Sequence, residues 1–198
     1  MCGRFVMVPR DVVERIVREV EEGLPVSSTP SAGVDVFPGA CVPVMVPGGE
    51  PGRLGVAELL WGYPVTWSKR PVFNTRVDTA TGPRGAMWRE SLTHRRCVVP
   101  TLGFYEPHKT ERTVSPKTGR EIKVQCVFGL VESPVTFIAG IYEDDHFSLM
   151  TCEPNRWVRD VHDRMPLVLR PSELDMWLGE GYAELFDRNN VELSCCNA

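Results

Sequence analysis

Residues 95–107 read RRCVVPTLGFYEP, and this stretch decides the fold. Its apolar run, residues 97–100, predicts a buried strand. The GFYEP that follows places a glutamate, Glu106, directly behind two aromatic residues. Polar residues beside a buried strand are held rigidly by the scaffold and are often functional. We therefore expect Glu106 at a strand end or turn next to the core.

The N-terminal residues predict a strand followed by a helix. Apolar Phe5 and Val6 predict a first strand that ties the terminus into the fold. Residues 9–23, PRDVVERIVREVEEG, then place valine and isoleucine side chains at helical spacing. Asp11 is expected as the N-cap of this helix and Gly23 as its stop.

The remaining segments predict mostly strands. Apolar runs between Gly and Pro turns predict strands at residues 41–47, 56–61, 122–130, 135–143 and 146–153. Short helices are expected at residues 86–92, 154–162 and 172–181, the last capped by Ser172 and Asp175. Irregular loops are expected at residues 24–40 and after Gly62. Without repeats or long linkers, we interpret residues 1–198 as a single α+β domain, dominated by antiparallel strands in a barrel-like sheet with a few peripheral helices.

The composition excludes several classes of protein. A net charge of −4 argues against coating nucleic acid by bulk attraction. Arginine nevertheless outnumbers lysine by 18 to 4, and a local groove of arginines suits phosphate. The seven cysteines are an odd set without zinc-site or redox spacing, which predicts reduced thiols, no metal and no cofactor. With no long apolar run or leader, we expect a cytoplasmic protein that does not enter a membrane.

Four polar residues lie in unusually apolar or turn-defined settings: Cys2, Asn74, Glu106 and His162. Each alone is compatible with a structural role, as a turn former or a hydrogen-bonded group near the core. Cys2 stands apart because trimming of Met1 would leave it with a free α-amine beside its thiol. Two nucleophiles would then share one residue.

Five separated motifs resemble those of the SOS response-associated peptidase (SRAP) family. In chain order they are MCGRF, WGYPVTW with NTRVDTA, RRCVVPTLGFYEP, FIAGIYE and MTCEPNRWVRDVHDRMPLVL. They extend from residue 2 to about residue 170 in the family's order. The resemblance implies a protein that recognises abasic sites in single-stranded DNA and cross-links to them through its N-terminal cysteine.

The resemblance also implies a role for individual residues. Cys2 would form the cross-link as a thiazolidine, Glu106 would act as general acid and base, His162 would help to open the sugar and to reverse the link, and Asn74 would orient the amine. The implied DNA contacts are Arg4, Pro38 as a wedge, Trp67 as an aromatic surface, Arg76, Arg84, Thr151 and Arg164. The alternative for Trp67 is a position in the core.

The chain departs from the family pattern in three places. Pro107 stands where many members carry Trp, Asp78 replaces the usual Glu, and the chain ends at ELSCCNA, short of the C-terminal strands of many relatives. A monomer is expected, associated with the nucleoid when engaged, and a replication-machinery partner is left open.

Three alternatives to covalent capture of abasic sites remain. A cysteine peptidase would use Cys2 as nucleophile, with its amine or His162 as base, and removal of Met1 would be its simplest reaction. A non-catalytic module would bind modified or single-stranded DNA without the thiol. A thiol-redox role is the third, although no cysteine pair has the spacing for it.

Overall fold

The computed structural model describes residues 2–50 and 52–197, which contain fourteen strands and four α-helices. The strands are β1 (Phe5–Met7), β2 (Val34–Val36), β3 (Cys41–Pro47), β4 (Leu54–Trp61), β5 (Tyr63–Val65), β6 (Ser68–Val72), β7 (Asn74–Arg76), β8 (Arg96–Val114), β9 (Glu121–Leu130), β10 (Thr136–Glu143), β11 (His146–Cys152), β12 (Met165–Pro166), β13 (Val168–Leu169) and β14 (Leu193–Asn197). The helices are α1 (Arg10–Glu21), α2 (Val77–Thr81), α3 (Ala86–His94) and α4 (Leu174–Leu178), with 3-10 helices at Pro171–Glu173 and Glu180–Phe186.

Five strands close into a ring at the centre of the fold. Going round it, β8 pairs with β10, β10 with β11, β11 with β4, and β4 with β3. The ring closes where Met45 of β3 pairs with Val98 of β8. Every pairing in the ring is antiparallel except that of β11 with β4. The predicted barrel-like sheet dominated by antiparallel strands is confirmed.

Large apolar side chains on both faces of this ring are buried. Trp61, Phe137, Ile138 and Phe147 are fully buried, and the rings of Trp61 and Phe147 stack with their centroids 6.4 Å apart. Burying one such side chain contributes about 1.5–3 kcal/mol. The core thus fixes β8, the strand that carries Glu106, on both sides.

Helix α1 covers one side of the barrel with its apolar face. Its last residue is Glu21, and the predicted stop, Gly23, follows the C-cap with a φ of 67°, the left-handed conformation that glycine adopts most readily. The predicted N-cap was wrong. The cap is Pro9, without a side-chain hydrogen bond, and Asp11 instead lies in the first turn and accepts a hydrogen bond from Arg15 at 2.9 Å.

Two segments predicted as loops contain short strands. Within residues 24–40, β2 pairs with β1, and the polar segment after Gly62 forms the hairpin of β5 and β6. The last described residues form β14, which pairs with β9. Backbone pairing defines these strands, and their mostly exposed side chains give no apolar pattern to read.

The helix predicted for residues 154–162 is replaced by a series of turns. Asn155 organises them, because its Nδ2 donates to the carbonyls of Arg188 and Val191 and its Oδ1 accepts from the N–H of Trp157. The predicted caps of the last helix were also wrong. Instead of a cap by Ser172 or Asp175, the N–H of Arg170 donates to the side chain of Glu173 at 2.8 Å. No helix of the described residues is long and apolar enough to span a membrane.

Candidate functional site

Glu106 lies in the middle of β8, between β1 and β9. Phe104 pairs with Phe5 on one side and with Phe128 on the other, and Glu106 lies directly opposite Cys126. The expectation of a strand end at Glu106 was wrong, since β8 continues to Val114. The residues beyond Glu106 are mostly polar and pair with β9 through their backbone. A hydropathy pattern therefore does not reveal this part of the strand.

The Glu106 side chain is fully buried. Burial disfavours the ionised carboxylate and raises the pKa of Glu106 to about 7. A carboxyl group with this pKa is present in both its acid and its base form at neutral pH. Such a group can donate and accept protons in one reaction.

An irregularity in β8 brings His162 to Glu106. The register between β8 and β9 shifts between Pro107 and Arg112, and there the N–H of Lys109 donates to the carbonyl of Val161 at 2.7 Å. His162 follows directly, and its Nε2 lies 3.7 Å from Oε2 of Glu106. A break in pairing next to Glu106 thus positions the histidine.

The backbone of Arg164 holds the His162 ring in one orientation. The backbone N–H of Arg164 donates to Nδ1 of His162 at 3.1 Å. The same nitrogen lies 3.0 Å from the carbonyl oxygen of Arg164, to which it donates when it carries the proton, so each tautomer of the neutral ring has a backbone partner. Burial lowers the pKa of His162, which favours the neutral ring.

Cys2 and Asn74 complete the cluster. The Cys2 thiol is fully buried, and burial together with the charge of Glu106 raises its pKa. Asn74 begins β7, which runs parallel to β11, and its Nδ2 donates to the carbonyl of Cys2 at 2.6 Å. Its Oδ1 is buried and has no hydrogen-bond partner in the described part of the chain.

The four residues singled out in the sequence therefore form one group. Asn74 contacts Cys2, Glu106 acts electrostatically on Cys2, and His162 faces Glu106. We call Cys2, Asn74, Glu106 and His162 the Cys2 cluster. Among residues 2–50 and 52–197, no three His, Cys, Asp or Glu side chains are arranged to hold a metal ion.

Two of the predicted phosphate contacts share one carboxylate. Arg76 and Arg164 each donate to Asp78, at 2.8 and 2.9 Å, and Arg164 also pairs with Glu153. Arg164 is buried and donates to the carbonyl of Thr151 at 3.1 Å. Thr151 and Arg164 are thus buried, and Arg76 is the exposed cation of the group.

The other predicted DNA contacts lie at the surface. Arg4 pairs with Asp35 and stacks over the Tyr105 ring, 3.8 Å from its centroid. Arg84 is exposed and makes no ion pair with any described residue. Pro38 is exposed in a turn, and Trp67 is 64% exposed between β5 and β6, so the core position considered for Trp67 was wrong.

A family model described as SOS response associated peptidase (SRAP) matches residues 1–192. The chain belongs to the SRAP family. Among curated relatives of this SRAP chain is the abasic site processing protein YedK of Escherichia coli, which is 29% identical over 181 residues that cover 90% of this chain and 79% of the relative. The abasic site processing protein YoaM of Bacillus subtilis is 28% identical over 194 residues, with the same coverage.

Solved structures match the SRAP fold over almost the whole chain. A Bordetella bronchiseptica protein superposes with a TM-score of 0.71 at 18% identity, covering 100% of this chain and 99% of that one. A phage-related protein from the same species gives a TM-score of 0.68 at 22% identity, covering 100% and 94%. At these identities the likeness establishes the fold alone.

Sequence reasoning missed several neighbours of the SRAP site. Cys126 lies opposite Glu106, Asp35 holds Arg4, and Tyr105 supports its guanidinium. These contacts depend on strand register, which residue spacing along the chain does not reveal. The only local signal was the charge of Asp78, two residues after Arg76.

Proposed function

We propose that this protein captures abasic sites in single-stranded DNA covalently, through Cys2 after removal of Met1. The observation that carries the proposal is the Cys2 cluster, in which a cysteine next to the start of the chain lies with a carboxyl group whose pKa is about 7. The relatives named as abasic site processing proteins supply the substrate class.

The first step uses the α-amine that trimming would expose. An abasic sugar opens to an aldehyde, and the neutral amine adds to its carbon C1′. Loss of water then gives an imine. Protonated Glu106 donates to the leaving hydroxyl, and such general acid catalysis contributes typically 10²–10⁴-fold.

The second step closes a ring that protects the lesion. The Cys2 thiol adds to the imine carbon, so a carbon–sulfur bond forms and the carbon–nitrogen double bond becomes single. Glu106, now ionised, takes the thiol proton and passes it to nitrogen. The product is a five-membered thiazolidine, which lacks the imine needed for β-elimination of the DNA strand.

Asn74 and His162 position these groups. Asn74 holds the Cys2 carbonyl and has a further buried acceptor, Oδ1, suited to an amine proton. The Nε2 of His162 faces Glu106, and from this position the ring can assist opening of the sugar. The half-buried Arg4 and the exposed Arg76 and Arg84 are cations suited to DNA phosphates, with Trp67 as a stacking surface.

The peptidase alternative fits the site less well. A cysteine peptidase needs a thiolate of low pKa, beside a histidine or another cation. Here burial and the Glu106 charge raise the Cys2 pKa, and the Nε2 of His162 faces Glu106. Aldehyde capture demands less of the thiol, because its target is already attached to the same residue.

The test is denaturing electrophoresis of the mature protein after incubation with single-stranded DNA that carries one abasic site. Intact-mass measurement first verifies that Met1 is absent. We expect an adduct whose mass is that of protein plus DNA minus one water. The same DNA with a tetrahydrofuran analogue, which has no aldehyde, is the substrate control.

Cys2→Ala separates the competing mechanisms. This variant keeps the α-amine, so we expect an adduct only when borohydride reduces the imine. A stable adduct from Cys2→Ala without reductant would disprove ring closure by the thiol. If the wild type cleaves peptides but never joins abasic DNA, the peptidase alternative replaces the proposal.

A further inference from the structure

A shallow hollow of about 300 Å³ lies beside the Cys2 cluster. It is lined by Gly3, Arg4, Phe37, Tyr105, Pro107 and Gln125. This volume is at the lower end of the range for small-molecule sites. The hollow lies outside the cluster, since none of the four cluster residues lines it.

The strand geometry places this hollow one residue away from the reacting groups. Gly3 follows Cys2, Pro107 follows Glu106, and Gln125 precedes Cys126. Successive side chains on a strand point to opposite faces, so the hollow is on the other face of β8 from the Glu106 carboxyl. Gly3 leaves open space at the edge of the hollow nearest to Cys2, because a Cβ there would meet no atom within 4 Å.

Phe37 is the unexplained member of this hollow. Its side chain is 56% exposed, although it follows a strand whose neighbouring residue Val36 is buried. The main chain fixes the segment, since the N–H of Ala40 donates to the carbonyl of Phe37 at 3.1 Å and the N–H of Gly39 donates to the carbonyl of Trp61 at 2.8 Å. An anchored turn thus presents an aromatic ring to solvent.

We propose that Phe37 is a stacking platform for the nucleobase next to the abasic site. The inference rests on the proposed function, because a DNA strand captured at Cys2 would pass over the neighbouring Gly3. The hollow offers an apolar ring at one wall and, at another, the Arg4 guanidinium, which pairs with Asp35 and is held over Tyr105. A ring for the base and a cation for its phosphate match a nucleotide of single-stranded DNA of any sequence.

The contribution of this platform is expected in binding affinity and not in chemistry. Stacking a base on an aromatic side chain is worth about 1–3 kcal/mol, so Phe37→Ala should weaken binding by roughly 5- to 150-fold. The rate of adduct formation at saturating DNA should stay unchanged, since Phe37 is not in the Cys2 cluster.

The test is a thermodynamic cycle in which the Phe37 ring is removed from the protein and the bases beside the lesion are removed from the DNA, each alone and both together. Dissociation constants are measured by fluorescence anisotropy on single-stranded DNA with a tetrahydrofuran lesion, which binds without cross-linking. A second DNA replaces the bases on both sides of the lesion by further tetrahydrofuran units. We expect Phe37→Ala to bind the first DNA less tightly than the wild type and the second DNA equally well.

Val131→Ala is the matched control, because Val131 is 55% exposed and does not line the hollow. It should bind both DNAs like the wild type. Equal binding of the first DNA by Phe37→Ala and wild type would overturn the inference, as would an equal loss on both DNAs. Adduct formation with a true abasic site is read in parallel, so failure of the platform and failure of covalent capture are seen separately.

Discussion

The Nε2 of His162 lies 3.7 Å from Oε2 of Glu106, and burial shifts the pKa values of these two groups in opposite directions. Burial raises the pKa of Glu106 to about 7 and lowers that of His162, so near neutral pH the pair favours two uncharged partners over an ion pair. A protonated Glu106 can donate to Nε2 when that nitrogen lacks a proton, and an ionised Glu106 can accept from Nε2 when it carries one. The capture reaction needs Glu106 in both forms. The protonated acid expels water, and the ionised carboxylate then accepts the proton of the thiol that closes the ring.

The pH dependence of capture should therefore be bell-shaped. The rate needs a neutral α-amine, whose reference pKa is about 7.7–8.0, and a protonated Glu106, whose pKa is about 7. It should rise with pH while the amine loses its proton and fall as Glu106 ionises, with an optimum of about pH 7–8. Single-turnover adduct formation from about pH 5 to about pH 9.5 measures this profile.

Glu106→Gln isolates the acid in that profile. Gln keeps the shape of the side chain but cannot exchange its proton, so we expect a rate about 10²–10⁴-fold lower and no decline at alkaline pH. Unchanged decline at alkaline pH in this variant would assign that limb to another group. Its affinity for tetrahydrofuran DNA serves as the folding and binding control.

Stability should fall as the pH rises through the titration of Glu106. The carboxyl has a pKa of 4.5 when unfolded and about 7 when folded, so the folded state binds the proton more tightly. Stability from this proton is complete below about pH 4.5 and is lost as the pH rises to about 7, a total of roughly 3 kcal/mol. Glu106→Gln should therefore gain stability over the wild type at about pH 8 relative to about pH 5. Urea unfolding of both proteins at the two pH values measures this difference.

The sequence predicted the members of the Cys2 cluster but not what holds them together. Asn74 and His162 were singled out by their settings, and the closed sheet brings them to Cys2 and Glu106. The backbone hydrogen bond between Lys109 and Val161 positions His162, which lies in a segment where a helix was expected. Hydropathy patterns carry no information about such bonds between distant segments.

The surroundings of Pro107 and Arg164 also depend on contacts between distant segments. Pro107 stands where many members carry Trp, and the exposed ring of Phe37 lines the same hollow as Pro107. Arg164 resembled an open phosphate contact, yet its place in the sequence cannot reveal that Asp78 and Glu153 already hold it. Partners of charged side chains are set by folding, so ionic roles were the least predictable part of the site.

Removal of the Asn74 amide should slow capture without weakening DNA binding. Asn74→Ala leaves the buried carbonyl of Cys2 without its donor, which costs about 1–3 kcal/mol of stability and frees the reacting residue to move. Asn74→Asp keeps the size but replaces the donor by an acceptor, and it should slow capture as well. Adduct rate and affinity for tetrahydrofuran DNA are compared. A loss of affinity equal to the loss of rate would assign Asn74 to DNA binding.

Asp78 should limit the affinity for DNA. It holds Arg76 and Arg164, and the Arg76 hydrogen bond lowers its pKa, so it stays ionised and competes with phosphate for both guanidinium groups. Asp78→Asn should therefore tighten binding at low salt. Each additional phosphate that the protein neutralises on a single strand makes the slope of log K against log salt more negative by about 0.7. Arg76→Ala should change the slope by the same amount in the opposite direction.

A general effect of charge must be separated from release of Arg76. Asp145→Asn makes the same change in net charge at an exposed carboxylate that contacts His146 and neither arginine. It should leave the salt slope within error of the wild type. In the double variant Asp78→Asn, Arg76→Ala, the increase in affinity from Asp78→Asn should shrink, because the guanidinium that it releases is gone. If the full increase in affinity remained in the double variant, Arg164 would have to contact the phosphate. The buried Arg164, which donates to the carbonyl of Thr151, would then have to become exposed when DNA binds.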